Sequence, residues 1–268
     1  MLAEVKPRTS TLNGRLWGAR ARDWSDVQKG VVRPVYEAVF DRTGMGAGVR
    51  YLDVGCGSGM AAQLAAERGA QVSGIDAAEP LLAIARSRLP TADFHQGDVE
   101  ELPFGDETFD VVTGFNSFQY AGNLIVALSE ARRVTKRSGT VVIVTWGNPE
   151  GMEAASIVAA LRPLLPTPPL GAPGPFALSE EATLRTFASD ARLTPIEVLD
   201  VESPFEYPDE ATAVRGLNSA GVAVRAIEHK QCVRLMPPSR HFADQMVVIR
   251  LGPRSAAFSR DPDEHHRQ

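Results

Sequence analysis

Three carboxylates and a glycine-rich turn stand at intervals that suit the binding of a nucleoside-bearing ligand. Asp53 is followed at alternate positions by Gly55, Gly57 and Gly59, with Cys56 between the first two glycines. Alternate glycines permit tight turns with positive φ and let a ligand lie against bare main chain. Asp76, in the pair Asp76-Ala77, follows Gly57 by 19 positions, the separation at which a strand–helix–strand unit sets an acid against a ribose diol. A third acid sits in Gly97-Asp98-Val99, and Asn116 ends a further apolar run. Gln119 and Tyr120 are candidates for orienting a second ligand, or else cap and pack on the next helix. Trp24 and Trp146 are candidates for its pocket wall, or else pack in the core.

These groups need elements that bring them to one edge. Residues 49–54 read as a buried strand, and 60–68 as a helix whose N-terminus points at the glycine turn. Residues 71–76, 92–99, 109–116 and 139–146 read as four more strands, each ending in small or polar groups. Ligand-binding groups at the C-terminal ends of successive parallel strands are the habit of an open, doubly wound α/β sheet. Residues 121–134 read as an amphipathic helix, and the Val-Val-Ile-Val centre of the fifth strand suits burial on both faces.

With these motifs in place, the chain resembles the class I S-adenosylmethionine-dependent methyltransferases of the small-molecule type, a group that includes the ubiquinone and menaquinone methyltransferases. The resemblance covers roughly residues 10–225 and is most specific over 49–146. It implies a Rossmann-like sheet of seven strands, mostly parallel, and S-adenosyl-L-methionine as cofactor. It implies that the Asp53–Gly59 motif wraps the methionine part and that Asp76 holds the ribose hydroxyls. Leu81 would pack on the adenine, Asp98 would read its amino group, and the Val99 backbone would lie beside it. Asn116 is the residue best placed for the methionine end. No catalytic side chain is assigned, since an activated methyl group needs mainly alignment and a dry pocket. A protein that binds the cofactor without turnover, as a sensor or a partner subunit, is the alternative.

A nicotinamide- or flavin-binding domain is the rival for the glycine turn. Its G-x-G-x-x-G register fails here, because the third place falls on Met60 or Ala62. Alanine is tolerated there, but neither Gly97-Asp98 nor Asp53 within the first strand is explained by a dehydrogenase. Nucleic acid is disfavoured as a partner. The formal net charge is -5, whereas phosphate-binding faces are basic. The run after the fourth strand, Asn116-Ser117-Phe118-Gln119, lacks the Pro-Pro of exocyclic-amine enzymes, and neither cysteine follows a proline. Phe115, Phe118 and Tyr120 suggest an apolar pocket for a small acceptor. With two cysteines and no ligand spacing, no metal site is expected. No apolar run reaches the length of a membrane span, so the expectation is a cytoplasmic protein with no membrane span. Oligomeric state is not legible.

The organisation expected is an N-terminal helical cap at 1–48, a cofactor-binding core at 49–146 and a proline-rich lid at 147–192. The remainder of the sheet and a substrate-side helix follow at 193–252, and a frayed tail at 253–268. Within the cap, residues 1–12 read as a loose tail and 26–40 as a helix that Pro34 kinks or interrupts. Residues 163–175 hold six prolines and suit a lid or binding loop. Ser179 reads as the N-cap of a helix, 192–201 as a sixth strand and 244–251 as a seventh, which the resemblance implies is antiparallel.

Overall fold

The computed structural model describes residues 8–152, 154–166, 175–230, 241–242 and 245–253. The chain begins with helices α1 (Ser10–Gly18), α2 (Ala21–Val27) and α3 (Arg33–Thr43). An alternating series follows: β1 (Arg50–Val54), α4 (Met60–Glu67), β2 (Gln71–Asp76), α5 (Glu79–Arg88), β3 (Asp93–Gln96), β4 (Phe109–Phe115), α6 (Leu124–Val134) and β5 (Thr135–Trp146). Beyond it lie α7 (Ala155–Leu161), α8 (Glu181–Asp190), β6 (Leu193–Glu202) and the short β7 (Phe205–Glu206). Helices α9 (Glu210–Leu217) and α10 (Gly221–Lys230) lead to β8 (His241–Phe242) and β9 (Gln245–Pro253).

Seven strands form one sheet in the order β3-β2-β1-β4-β5-β9-β6. Strands β1 to β5 are parallel, and β9 runs antiparallel between β5 and β6. The two-residue periodicity of the central strands sorts their side chains onto two faces. Leu52, Val54, Val112 and Ile143 join α6 and α8 in one core, while Tyr51, Val111, Val142 and Val144 meet α3 and α4 in another. The strand order reverses beside β1, where the connection from β3 crosses to β4. In open α/β sheets that switch point leaves a crevice at the carboxyl ends of the strands.

Several expectations need correction. Residues 10–12 are the first turn of α1, not a tail. The helix expected at 26–40 is two helices joined by a 3-10 turn at Gln28–Gly30, and Pro34 stands in the first turn of α3, where a missing N–H removes nothing. The cap of α8 is Glu180, not Ser179, whose buried hydroxyl has no hydrogen-bond partner among the described residues. Helix α6 starts at Leu124 rather than 121, because Asn123 accepts from the Val126 amide and caps it there. The antiparallel seventh strand is present as β9. Of the proline-rich stretch, 167–174 lie outside the described residues, as do 1–7 of the cap and 254–268 of the expected tail. No helix among the described residues is long and apolar enough to cross a membrane.

The N-terminal helices are tied across the crevice. Thr9 Oγ1 and Asn13 Nδ2 both donate to the Tyr120 carbonyl, at 2.6 and 3.0 Å. Arg88 on α5 donates to the Ser58 carbonyl at 2.5 Å and to Ser25 Oγ of α2 at 2.8 Å. Glycine at position 14 lets α1 lie against Ala77, since a Cβ there would come within 2.4 Å of the Ala77 oxygen.

Candidate functional site

Strand β1 hands the chain into the turn through Gly55, Gly57 and Gly59, at φ +76°, +53° and +74°. Among the described residues a Cβ on Gly57 would find only Trp24 Nε1, at 3.9 Å, so they leave this face of the turn open. A Cβ on Gly55 would strike Ser117 Cβ at 2.3 Å, which lets the segment after β4 close down on the turn. Asp76 stitches the other side. Its Oδ2 accepts from the Gly57 amide at 2.8 Å and its Oδ1 from the Ala78 amide at 2.8 Å. Burial pushes this carboxyl up, and those amides pull against the shift. Each oxygen keeps a lone pair for a further donor. Asp98 accepts from the Glu100 amide with Oδ1 at 2.9 Å, while its Oδ2 is buried with no partner among the described residues. A buried carboxylate oxygen without a partner is costly, and a ligand donor there would offset that cost.

Beneath the turn, Tyr51 O–H, Thr113 and Asp53 form a buried relay, with Tyr51 to Thr113 at 2.7 Å and Thr113 to Asp53 at 3.3 Å. Burial pushes the Asp53 carboxyl up to about 7, against the pull of Thr113. Asp53 supports the turn from below and does not reach the cavity wall.

A cavity of about 240 Å³ runs from this crevice under the N-terminal helices. One half is walled by strand ends and loops, with Gly55, Gly57, Asp76, Ala77, Leu81, Gly97, Asp98, Val99, Asn116 and Ser117. Thr9, Asn13, Trp17 and Trp24 cover it. The other half is apolar, walled by Val31, Val32, Tyr36, Phe115, Trp146, Ile157, Phe205 and Leu217 among others. Tyr36 meets Phe115 edge-on at 4.6 Å, and Trp146 meets Phe205 at 5.8 Å. Burial, with the Asp53 charge adding to it, pushes the Tyr36 phenol far up, so it stays protonated and can donate but not act as a base.

Of the residues singled out in the sequence, Gly55, Gly57, Asp76, Ala77, Leu81, Gly97, Asp98, Val99, Asn116, Trp24, Tyr120 and Trp146 meet around this one cavity. Others stand behind it. The Cys56 side chain turns into a cluster with Ala62, Leu82, Ala85 and Phe94, and its amide donates to the Ile75 carbonyl at 3.0 Å. Gly59 lies against Ala85. Gln119 is buried, donates to Asn116 Oδ1 at 3.0 Å and does not line the cavity. Phe118 sits wholly in the core. Sequence reasoning missed Thr9, Asn13, Gln28, Tyr36 and Phe205. Gln28 and Tyr36 fall in the stretch read as a helix over 26–40. Thr9 and Asn13 precede or begin a helix that nothing in the linear order sends to Tyr120, and Phe205 opens a two-residue strand with no signal of its own.

Comparison with known proteins follows the same ground. A family model described as a methyltransferase domain matches residues 52–143. The chain is 31% identical over 149 residues to a demethylmenaquinone methyltransferase of Renibacterium salmoninarum, covering 56% of this chain and 58% of that protein. It is 31% identical over 176 residues to a malonyl-[acyl-carrier protein] O-methyltransferase of Erwinia billingiae, covering 65% of each. The chain thus spans less than two thirds of the length of either relative. In fold it is similar to a SAM-dependent methyltransferase from Aquifex aeolicus, with a TM-score of 0.56 at 16% identity over 87% of this chain and 97% of that one.

Proposed function

The chain belongs to the class I S-adenosylmethionine-dependent methyltransferases through residues 52–143, and from that premise we propose that it methylates a small, largely apolar acceptor. The observation that carries the reading is one cavity with two unlike halves, the first holding the bare Asp98 oxygen and the open face of Gly57. The residues present fit the cofactor. Asp76 would accept from the ribose hydroxyls with the lone pairs its amide partners leave free. Asp98 Oδ2 would accept from the adenine amino group, with Leu81 packed on the ring and Asn116 toward the methionine end. Bound there, the sulfonium cofactor supplies an already activated methyl group.

The remaining work falls to this chain's own side chains. The apolar half holds an acceptor close and excludes water, and alignment of two reactants can supply a large part of a rate enhancement. No histidine or carboxylate lines that half among the described residues, and Tyr36 stays protonated. The acceptor this suits is a nucleophile that needs no strong base, or one already ionised in solution.

The test has two stages. Calorimetry should detect adenosylhomocysteine binding, and radiolabelled cofactor should then label some member of a panel of apolar small molecules. A folded protein that ignores adenosylhomocysteine removes the reading. Tight binding with no transfer to any panel member would favour a sensor or partner subunit instead.

A further inference from the structure

We propose that Gln28 selects the acceptor, donating a hydrogen bond from its Nε2 amide to an oxygen carried by a planar, aromatic or conjugated molecule. The inference rests on reading the apolar half of the cavity as the acceptor pocket. Gln28 stands in the 3-10 turn between α2 and α3, is 7% exposed, and lines that half. Tyr207 O–H donates to its Oε1 at 2.9 Å. That bond orients the amide, because the phenol hydrogen seeks the oxygen and so leaves the nitrogen on the other side. Nε2 donates to no described residue, and it is not among the fully buried polar atoms left without a partner, so it is open to the cavity that Gln28 lines. A donor that opens from an apolar wall favours a ligand oxygen, because an apolar group placed over it would strip its solvent contact and return no hydrogen bond.

The neighbourhood is built to keep this pair in place. Gly216, inside helix α9, is a poor helix former, yet a Cβ there would meet Val27 Cγ1 at 2.6 Å, Gln28 Oε1 at 3.3 Å and Tyr207 Cε1 at 3.3 Å. Glycine is what allows α9 to close on the pair. Two ring pairs stand among the aliphatic side chains of this half, Tyr36 against Phe115 and Trp146 against Phe205, and ring faces suit a flat ligand. An acceptor with no oxygen at this point would leave the Gln28 donor stranded, and a site built to hydrogen-bond a ligand group rejects ligands that lack it.

All three tryptophans of the chain, Trp17, Trp24 and Trp146, line the cavity, so intrinsic fluorescence reads its occupancy directly. The probes are 2-acetylnaphthalene and 2-isopropenylnaphthalene, which share a shape and differ by oxygen against methylene. Both are titrated into protein loaded with adenosylhomocysteine, and the ketone-to-alkene affinity ratio is taken for wild type and for Gln28→Leu. The ratio should fall about tenfold in the variant. Should Gln28→Leu fail to fold, Tyr207→Phe keeps the amide but frees it to rotate, and the ratio should fall about threefold. An unchanged ratio overturns the assignment of Gln28 while leaving the methyltransferase reading intact. So does a wild-type protein that takes up adenosylhomocysteine but neither probe. Failure to bind adenosylhomocysteine at all would instead remove the underlying reading, and this inference with it.

Discussion

The two halves of the cavity are built on opposite principles. The half around Gly57, Asp76 and Asp98 is polar and comes from one continuous stretch, with each group at the end of a parallel strand or in the loop just after it. The half around Gln28, Tyr36, Trp146, Ile157 and Phe205 is apolar and drawn from segments scattered over almost two hundred positions of the chain. Hydrogen bonds to a fixed ligand demand fixed donors and acceptors, which a sheet edge supplies. An apolar wall demands only shape, which any helix can supply. On the function proposed above, the difference teaches that a polar half fits the choice of reagent and an apolar half the choice of what it acts on.

Substitutions in the two halves should therefore fail in different ways. The largest effect is expected for Gly57→Val. The position is at φ +53° with open space beyond it, so a branched side chain enters the ligand's place and adds strain of about 1–2 kcal/mol. Calorimetry should show no adenosylhomocysteine binding while circular dichroism stays native-like, and undiminished affinity would break the assignment of this turn. Asp76→Ala should weaken adenosylmethionine and adenosylhomocysteine together by about tenfold to a hundredfold, from the loss of a charge-assisted bond worth about 1.5–3 kcal/mol. The rate at saturating cofactor should hold, since the role proposed for this carboxylate is at the ribose, away from the methyl group. Normal binding with a lost saturated rate would mean that Asp76 is not the ribose ligand.

Asp98→Asn should cost about tenfold for adenosylhomocysteine and much less for an analogue that lacks the adenine amine. An equal loss for both would give Asp98 a structural role only. Asp53, under the same turn, should show in stability rather than in binding. Its carboxyl is pushed up to about 7 by burial, above its value in the unfolded chain. Its contribution is therefore full below about pH 4 and is lost as pH rises through 7. Thermal melts of Asp53→Asn and wild type should thus diverge in the variant's favour between pH 4 and 7, and a constant gap would speak against a buried, protonated Asp53. The smallest effect belongs to the apolar half. Ile157→Ala should leave cofactor affinity within about twofold, as expected for a site that shares no partner with the nucleoside groups, yet raise the KM for the acceptor. A large loss of cofactor affinity there would mean that the two halves are not separable.

The same contrast explains what could be read in the linear chain. The core from β1 to β5 was legible because each strand carries its own apolar run and each turn its own glycine or acid, so local chemistry and final position agree. Helix α1 was not, because among its residues only Leu16 is buried. What holds it is Thr9 and Asn13 reaching Tyr120, more than a hundred positions away. Gln119 misled for the converse reason: beside Tyr120 in sequence it looked like a cavity residue, but the 3-10 turn at Phe118–Tyr120 points it at Asn116. Cys56 misled likewise, since alternate residues of a tight turn face opposite ways.

By itself the sequence determined the parallel sheet, the glycine turn and the three acids, because period-two burial and positive-φ glycines are properties of a few adjacent residues. Only the tertiary structure decided that α1 and α2 roof the crevice, that Asp53 lies beneath the turn while Asp98 opens into the cavity, and that Gln28 meets Tyr207 across 179 positions. Those relations depend on how separately formed elements pack. Packing is set by complementary shape between distant surfaces, and no local pattern of residues encodes it.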